Sequence, residues 1–327
     1  MGQKTDFETT SHIISEKVIG RDLVKGYLIA RLLDPSSFVI AIAGIDGIGK
    51  TTLAQYICNN KRVKKHFDRL LWVYASRDFT VTKILKDMLV CAGKKIPRDS
   101  TKERLQKIFF KNFATKSFLL VLDDISDGDP NQSLRSKWDE LRKLTESGSR
   151  GSKVLISTLN KSVAIIMACD DPYPLENLNR TDSWLLFKQV AFTGVHQSES
   201  EDIGKQIAEM CSRVPLVIHI IAGTLRDKHT VEDWWNFRDE ELPTFSRHKK
   251  DIKQSLKRSY DQLNPRLKLC FASCSLFSKG VPQLDTHALG LGEFLLFGNI
   301  RQVLQLDNVG LEAVPKELQG ASLLESL

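Results

Sequence analysis

The chain has 327 residues, 42% hydrophobic and 27% charged, which are ordinary globular values with room for two or three domains. Its 47 basic and 40 acidic residues give +7, with the basic residues densest at KRVKKHFDR (61–69) and RHKKDIKQSLKR (247–258). Neither cluster is long or interleaved with aromatics, so both read as solvated helix and linker surface rather than a nucleic-acid site, and no apolar run approaches the ~18 residues of a membrane span.

The first element is SFVIAIAG, a short run rich in β-branched residues, which reads as a strand over 38–43 buried on both faces. It leads into GIDGIGKTTLAQ, where Gly44, Gly49, Lys50 and Thr51 fit G-x-x-x-x-G-K-[ST]. KTTLAQYICNN follows with Leu53, Ala54 and Ile57 on one helical face. Strand, loop, helix is the order a phosphate cradle needs. Glycines let backbone N–H groups curl around phosphate oxygens, and the helix start adds unpaired donors and positive dipole. Lys50 supplies a full charge, and the Thr51 hydroxyl can ligate Mg²⁺.

Further strands are expected at RLLWVYAS (69–76), FLLVLD (118–123) and KVLIST (153–158). Helical spacing in FTVTKILKDMLVCAG, TKERLQKIFFKNFAT and LRSKWDELRKLTES separates them. Strands alternating with helices imply a parallel sheet covered on both faces. FLLVLDD ends in two aspartates, at the strand end that faces the crevice of the phosphate loop. Asp123 is the natural Mg²⁺ partner, and Asp124 could orient or deprotonate an attacking water. The competing reading is a solvated turn, since DDISDGDP is acidic and turn-rich.

The sheet region is expected to end near DDPYPLE. Beyond it the pattern is helical. Asp182 could cap SWLLFKQVAF, and Ile203, Ile207, Met210 and Val214 share a face of EDIGKQIAEMCSRV. Pro215 interrupts before the apolar helix LVIHIIAGTL, and DIKQSLKRSYDQL and LKLCFASCSLF follow. Six scattered cysteines, Cys270 and Cys274 one helical turn apart, form no C-x-x-C pair and read as buried reduced thiols. No signal peptide is present, and MGQKTD misses a myristoylation pattern at Asp6, so a cytoplasmic chain is expected, with nuclear presence left open.

In this order VIGRD (18–22), GIDGIGKTTLAQ, FLLVLDDI, GSKVLIST, YPLENLNRTDSWLLF, CSRVPLVIHIIAG and CFASCSLFSKG resemble the NB-ARC nucleotide-binding module of plant NLR disease-resistance receptors. That family belongs to the STAND class of P-loop ATPases and is related to apoptosome scaffolds. The resemblance implies an α/β fold: a parallel P-loop NTPase sheet (1–175), a helical domain (176–244) and a C-terminally truncated winged-helix domain (245–327). It implies an ADP/ATP switch, closed with ADP and oligomerising with ATP, with weak hydrolysis at most. It places Ile19, Gly20 and Arg21 beside adenine and ribose. Gly44, Ile45 and Asp46 open the loop, and Gly47, Ile48, Gly49, Lys50, Thr51 and Thr52 hold the phosphates. Thr51 and Asp123 serve the metal, and Pro215 packs on the nucleotide from the helical domain. Complete receptors carry a coiled-coil or TIR domain before the module and leucine-rich repeats after it, and respond to a pathogen effector or a guarded host protein. LDDI fits the coiled-coil types slightly better, and the coiled-coil or TIR subtype stays open.

Four positions depart from the family pattern. Leu159 stands where the family has a γ-phosphate-sensing arginine, which implies weak ATP sensing and slow hydrolysis. Arg213 replaces a glycine, so either the turn differs or the side chain points to solvent. Ser126 stands in place of a tryptophan. The Met-His-Asp motif is missing, and His287 does not fit it. Three rivals remain. A small-molecule kinase needs an arginine-bearing lid, which does not follow Asp124. A nucleic-acid-dependent ATPase needs a basic groove. The third is a scaffold whose nucleotide site has decayed.

Overall fold

The computed structural model describes residues 18–242 with Thr9 and Ser11, apart from 76–78, 98–99, 126–133, 147–150, 168, 193–199, 227 and 229. Strands β1 (Val39–Ala43), β2 (Arg69–Tyr74), β3 (Phe118–Ile125), β4 (Lys153–Thr158) and β5 (Tyr173–Pro174) form one parallel sheet in the order β2-β3-β4-β1-β5. Four of these are the strands expected from the apolar runs. The fifth lies inside DDPYPLE, where a break was expected. Two residues on the sheet edge, one of them proline, carry no periodicity to read, yet Tyr173 pairs with Ile42 and Pro174 with Ala43.

Period-2 alternation sends neighbouring residues of each strand into different cores. Val39 and Ala41 of β1, with Leu120 and Leu122 of β3, face one layer. That layer comprises α4 (Val81–Cys91), α5 (Lys102–Phe113), α6 (Leu134–Glu146) and α7 (Lys161–Ile166). Phe109 lies 5.0 Å from Phe113 and 6.0 Å from Phe118, ring centre to ring centre. Each such buried ring stabilises the fold by about 1.5–3 kcal/mol. Ile40 and Ile42, with Leu119 and Val121, face the other layer: α1 (Asp22–Leu33), α2 (Lys50–Cys58) and α3 (Lys61–His66). In α3 Lys61, Arg62, Lys64 and Lys65 are exposed while Val63 is buried, so that basic cluster lies on a solvated helix face.

A third core belongs to α8 (Arg180–Ala191), α9 (Glu201–Met210), α10 (Pro215–Arg226), α11 (Val231–Asn236) and a π-helical turn at Phe237–Glu241. Trp184 stacks on Phe187 at 5.8 Å, and Phe192 meets Trp234 at 5.1 Å. Asn179 caps α8, accepting from the Asp182 N–H at 2.7 Å, so Asp182 is not the cap but lies in the first turn. Met210 is 39% exposed, because α9 ends there and leaves Ile203 and Ile207 to carry its buried face. Cys58, Cys169 and Cys211 are buried as expected, but Cys91 is exposed, its Sγ donating to the Trp72 carbonyl at 3.0 Å. Residues 245–327, with Cys270, Cys274, His287 and the expected winged helix, lie outside the described residues, as does Ser126.

The turn from α9 to α10 keeps a glycine-like backbone without glycine. Ser212 has φ 53° and Arg213 φ 59°, with both side chains exposed. Their carbonyls accept from Asn177 Nδ2 at 2.9 Å and the Leu178 N–H at 3.0 Å, which holds the strained turn closed. A left-handed non-glycine residue costs roughly 1–2 kcal/mol, part of which glycine returns through unfolded-state entropy. Arg213→Gly should therefore raise stability by about 0.5–1 kcal/mol and Arg213→Val should lower it. Thermal melts in the reverse order would contradict this account of the turn.

Candidate functional site

The site lies where the carboxyl ends of β1, β3 and β4 meet. β1 runs straight into the glycine loop, whose first amide, Gly44 N–H, donates to the Thr158 carbonyl at the end of β4 at 3.1 Å. A Cβ on Gly44 would stand 3.1 Å from the Leu175 carbonyl oxygen. Gly47 and Gly49 have φ 70° and 96°, left-handed values that side chains resist. Ile48 is fully buried under the loop and anchors it, while Ile45 is exposed. The first α-helical bond of α2 runs from the Leu53 N–H to the Gly49 carbonyl at 2.9 Å. The amides of Lys50, Thr51 and Thr52 precede it, as the free donors of a first turn.

Lys50 is only 8% exposed, and its Nζ donates to the loop carbonyls of Gly44 at 2.9 Å and Ile45 at 3.0 Å. Burial pulls its pKa below the ordinary lysine value, against the opposing pull of Asp46, Asp124 and Asp123. The ammonium is thus held at the mouth of the loop by weak neutral acceptors that an anion can outbid.

Asp123 is fully buried at the end of β3. It accepts from Thr51 Oγ1 at 3.0 and 3.1 Å and from Ser157 Oγ at 2.5 Å. Burial raises its pKa above the usual carboxylate value, while the Ser157, Thr51 and Thr9 hydroxyls favour the ionised form. The β3–β4 register shifts between Leu122 and Ile125, and Asp124 sits inside that irregularity with φ 62°. Its N–H donates to Ser157 Oγ at 2.8 Å, and its carboxylate accepts from Tyr74 Oη at 3.3 Å. Ser157 therefore braces both aspartates. The only sequence signal for it was a hydroxyl near the end of an otherwise apolar strand.

Among the described residues no group of three or more His, Cys, Asp or Glu could hold a metal. Thr51 and Asp123 offer two hard oxygens side by side. That donor set fits Mg²⁺ carried on a polyphosphate, since Mg²⁺ takes one or two protein carboxylates and fills its shell with phosphate and water.

The loop is tied to its surroundings at two points. Arg21, 5% exposed, donates from Nη2 to the Ile48 carbonyl at 3.0 Å and from Nη1 to the Glu176 carbonyl at 2.9 Å. Burial lowers its pKa, against the pull of Tyr173 and Asp182. The Leu216 N–H, second residue of α10 after Pro215, donates to the Gly47 carbonyl at 3.2 Å. Pro215 is half-buried at the first helical position, where its missing N–H costs nothing. Ile19 packs on the third core, and Gly20 (φ 71°) leaves only 2.7 Å between an added Cβ and Asp182 Oδ2. Leu159, just past β4, is 46% exposed.

A family model described as the NB-ARC domain matches residues 22–197. Disease resistance protein RGA2 of Solanum bulbocastanum is 34% identical over 334 residues, covering 98% of this chain and 33% of that protein. Disease resistance RPP13-like protein 4 of Arabidopsis thaliana is 33% identical over 285 residues, covering 83% of this chain and 33% of that protein. The chain thus spans about a third of the length of these relatives. Among solved structures, Cdc6p of Pyrobaculum aerophilum superposes with TM-score 0.51 at 16% identity, covering 79% of this chain and 72% of that one. The ADP form of the Aeropyrum pernix ORC2 protein gives TM-score 0.50 at 19% identity, covering 86% and 87%. At such identities these two structures speak to the fold, a parallel P-loop sheet with helices.

Proposed function

The chain belongs to the NB-ARC family, and on that premise we propose that it is an ADP/ATP-binding switch from a plant immune receptor, with slow ATP hydrolysis at most. The observation that carries this reading is the hydrogen bond from the Leu216 N–H to the Gly47 carbonyl, which joins α10 to the phosphate loop itself. The glycine loop, the Lys50 ammonium and the first-turn amides of α2 bind the phosphates. Thr51 and Asp123 hold Mg²⁺, which when bound offsets phosphate charge. Asp124 orients water. Ile19 and Gly20 border the base, and Arg21 acts by bracing the loop. Pro215 and Leu216 carry phosphate occupancy into the helical unit.

On this reading residues 1–175 are the nucleotide-binding domain, 176–244 the helical domain and 245–327 the winged-helix part. The coiled-coil or TIR domain, the leucine-rich repeats, self-association and an effector or guarded host protein are the partners of the longer receptor. No described helix is long and apolar enough to cross a membrane.

A ligand shifts a two-state equilibrium only by its differential affinity. Calorimetric titration in the presence of MgCl₂ should give ADP a preference of about tenfold or more over ATP, worth about 1.4 kcal/mol. Equal affinities would leave nothing to drive a switch. Leu159 offers no charge to a third phosphate, so turnover should be slow. Leu159→Arg should raise it by about tenfold, as one added charge-assisted contact allows; an unchanged rate would remove Leu159 from this role.

A further inference from the structure

On the nucleotide reading Asp124 orients water, yet its backbone is irregular. Period-2 alternation would send its side chain to the face opposite Asp123, into the layer lined by Leu120 and Leu122. The strand departs from alternation at this residue: Asp124 has φ 62°, and the β3–β4 register shifts across it. Such a backbone is uncommon without glycine and clusters at functional sites. Two neighbours hold it. The Asp124 N–H donates to Ser157 Oγ of β4 at 2.8 Å, and the carboxylate accepts from Tyr74 Oη of β2 at 3.3 Å.

Tyr74 is itself well placed. It ends β2 and pairs with Asp123, and the ladder runs on past it, the Ala75 N–H donating to the Asp123 carbonyl at 2.8 Å. The strand order decides what its hydroxyl does. β2 lies on one side of β3, while β4 and then β1 with the glycine loop lie on the other. Tyr74 therefore draws the Asp124 carboxylate toward the side of β3 away from the phosphate cradle. A phenol donates one proton to an acceptor-only carboxylate, so the bond also fixes which oxygen is turned to β2. At 3.3 Å it is long for an O–H···O bond, able to bias the side chain and weak enough to break.

We propose that Tyr74 is a positioning residue that restrains Asp124, holding its carboxylate aside from the phosphate cradle and so keeping ATP turnover slow. This role rests on the nucleotide reading above and deepens it, adding to Leu159 a second brake inside the sheet. In hydrolysis a water oxygen attacks the γ-phosphorus and the bond to the β,γ-bridging oxygen breaks to release ADP. The water gives a proton to the Asp124 carboxylate, which returns it to the phosphate set free. The carboxylate can take that proton only when turned to the water, and release of the Tyr74 bond lets it turn.

The test is ATP hydrolysis by the full chain in MgCl₂, with kcat and KM measured separately. Tyr74→Phe should raise kcat about fivefold, a part of what a full charge-assisted hydrogen bond is worth. KM and the melting temperature should not move. Asp124→Asn should lower kcat, and adding Tyr74→Phe to it should change nothing further, because the two residues act as one unit. If Asp124→Asn lowers kcat while Tyr74→Phe leaves it unchanged or lowers it, the restraint is overturned and the hydrolytic reading stands. A rise on Tyr74→Phe that persists in the Asp124→Asn background, or that comes with an equal rise in KM, places Tyr74 in another role and also overturns it. ATP bound but hydrolysed by no variant overturns it as well. An Asp124→Asn protein with wild-type kcat removes Asp124 from the reaction, and a wild-type chain that binds no nucleotide removes the nucleotide reading; either takes this inference with it.

Discussion

Lys50→Ala should lower ADP and ATP affinity by about 100-fold or more, because a charge-assisted contact to phosphate is worth about 1.5–3 kcal/mol and the proposed site would set this ammonium against several phosphate oxygens. In the ligand-free protein the change should cost about 1 kcal/mol, because the two carbonyls it leaves are only part-buried and water can reach them. The lost bonds go to two loop carbonyls, Gly44 and Ile45, and burial already disfavours the charge. The two effects separate in a melting experiment. Ligand at 100 times its Kd stabilises a fold by about 2.7 kcal/mol. For a unit of this size that is a rise of roughly 5–10 °C. Wild type should show this rise with ADP and MgCl₂, and Lys50→Ala should not. A variant that still gained it would place the phosphates elsewhere.

Arg21→Ala should be the most destabilising single change near the site. Its guanidinium is buried and spans two carbonyls, one in the glycine loop and one in the segment after β5. Truncation leaves the buried Ile48 carbonyl unpaired and the part-buried Glu176 carbonyl to water, at a cost of about 2–3 kcal/mol. Arg21→Lys should recover less than half of that, because a single ammonium cannot reproduce the planar fork. Urea unfolding gives the measurement, with the shift in midpoint at unchanged slope. ADP affinity should fall in parallel, since the Ile48 carbonyl fixes the loop from below. A loss under about 0.5 kcal/mol, the range of ordinary surface changes, would show that Arg21 braces nothing.

Much of this site was legible from short stretches of chain. An apolar run, a glycine-spaced loop and a helical pattern are local, and β1, the loop and α2 follow one another without interruption. Asp123 was legible for the same reason, as a carboxylate closing an apolar strand. What escaped was long-range or too short to have a period. β5 has two residues and earns its place only by pairing with β1. Ser157 became a brace because β3 and β4 are neighbours, and their adjacency is not written in either strand. The Arg21 to Glu176 bond spans 155 positions. The choice of Asn179 over Asp182 as cap turned on three residues of helix boundary, the scale on which local signals blur. At Arg213 the residue type argued against a left-handed turn, and the hydrogen bonds from Asn177 and Leu178 overrode it.

The resting contact between Leu216 and Gly47 is what the proposed switch would act through. Helix α10 takes a loop carbonyl, Gly47, while bound phosphates would use the loop N–H groups, so on the proposed reading both ligand and helix set the conformation of the same loop. Only a ligand that senses this difference can move the helical unit. The most direct check is to denature the purified full chain and identify what it releases. Stoichiometric ADP is the expected result. A well-folded sample that releases no nucleotide, and then takes up neither ADP nor ATP with magnesium present, would contradict the account.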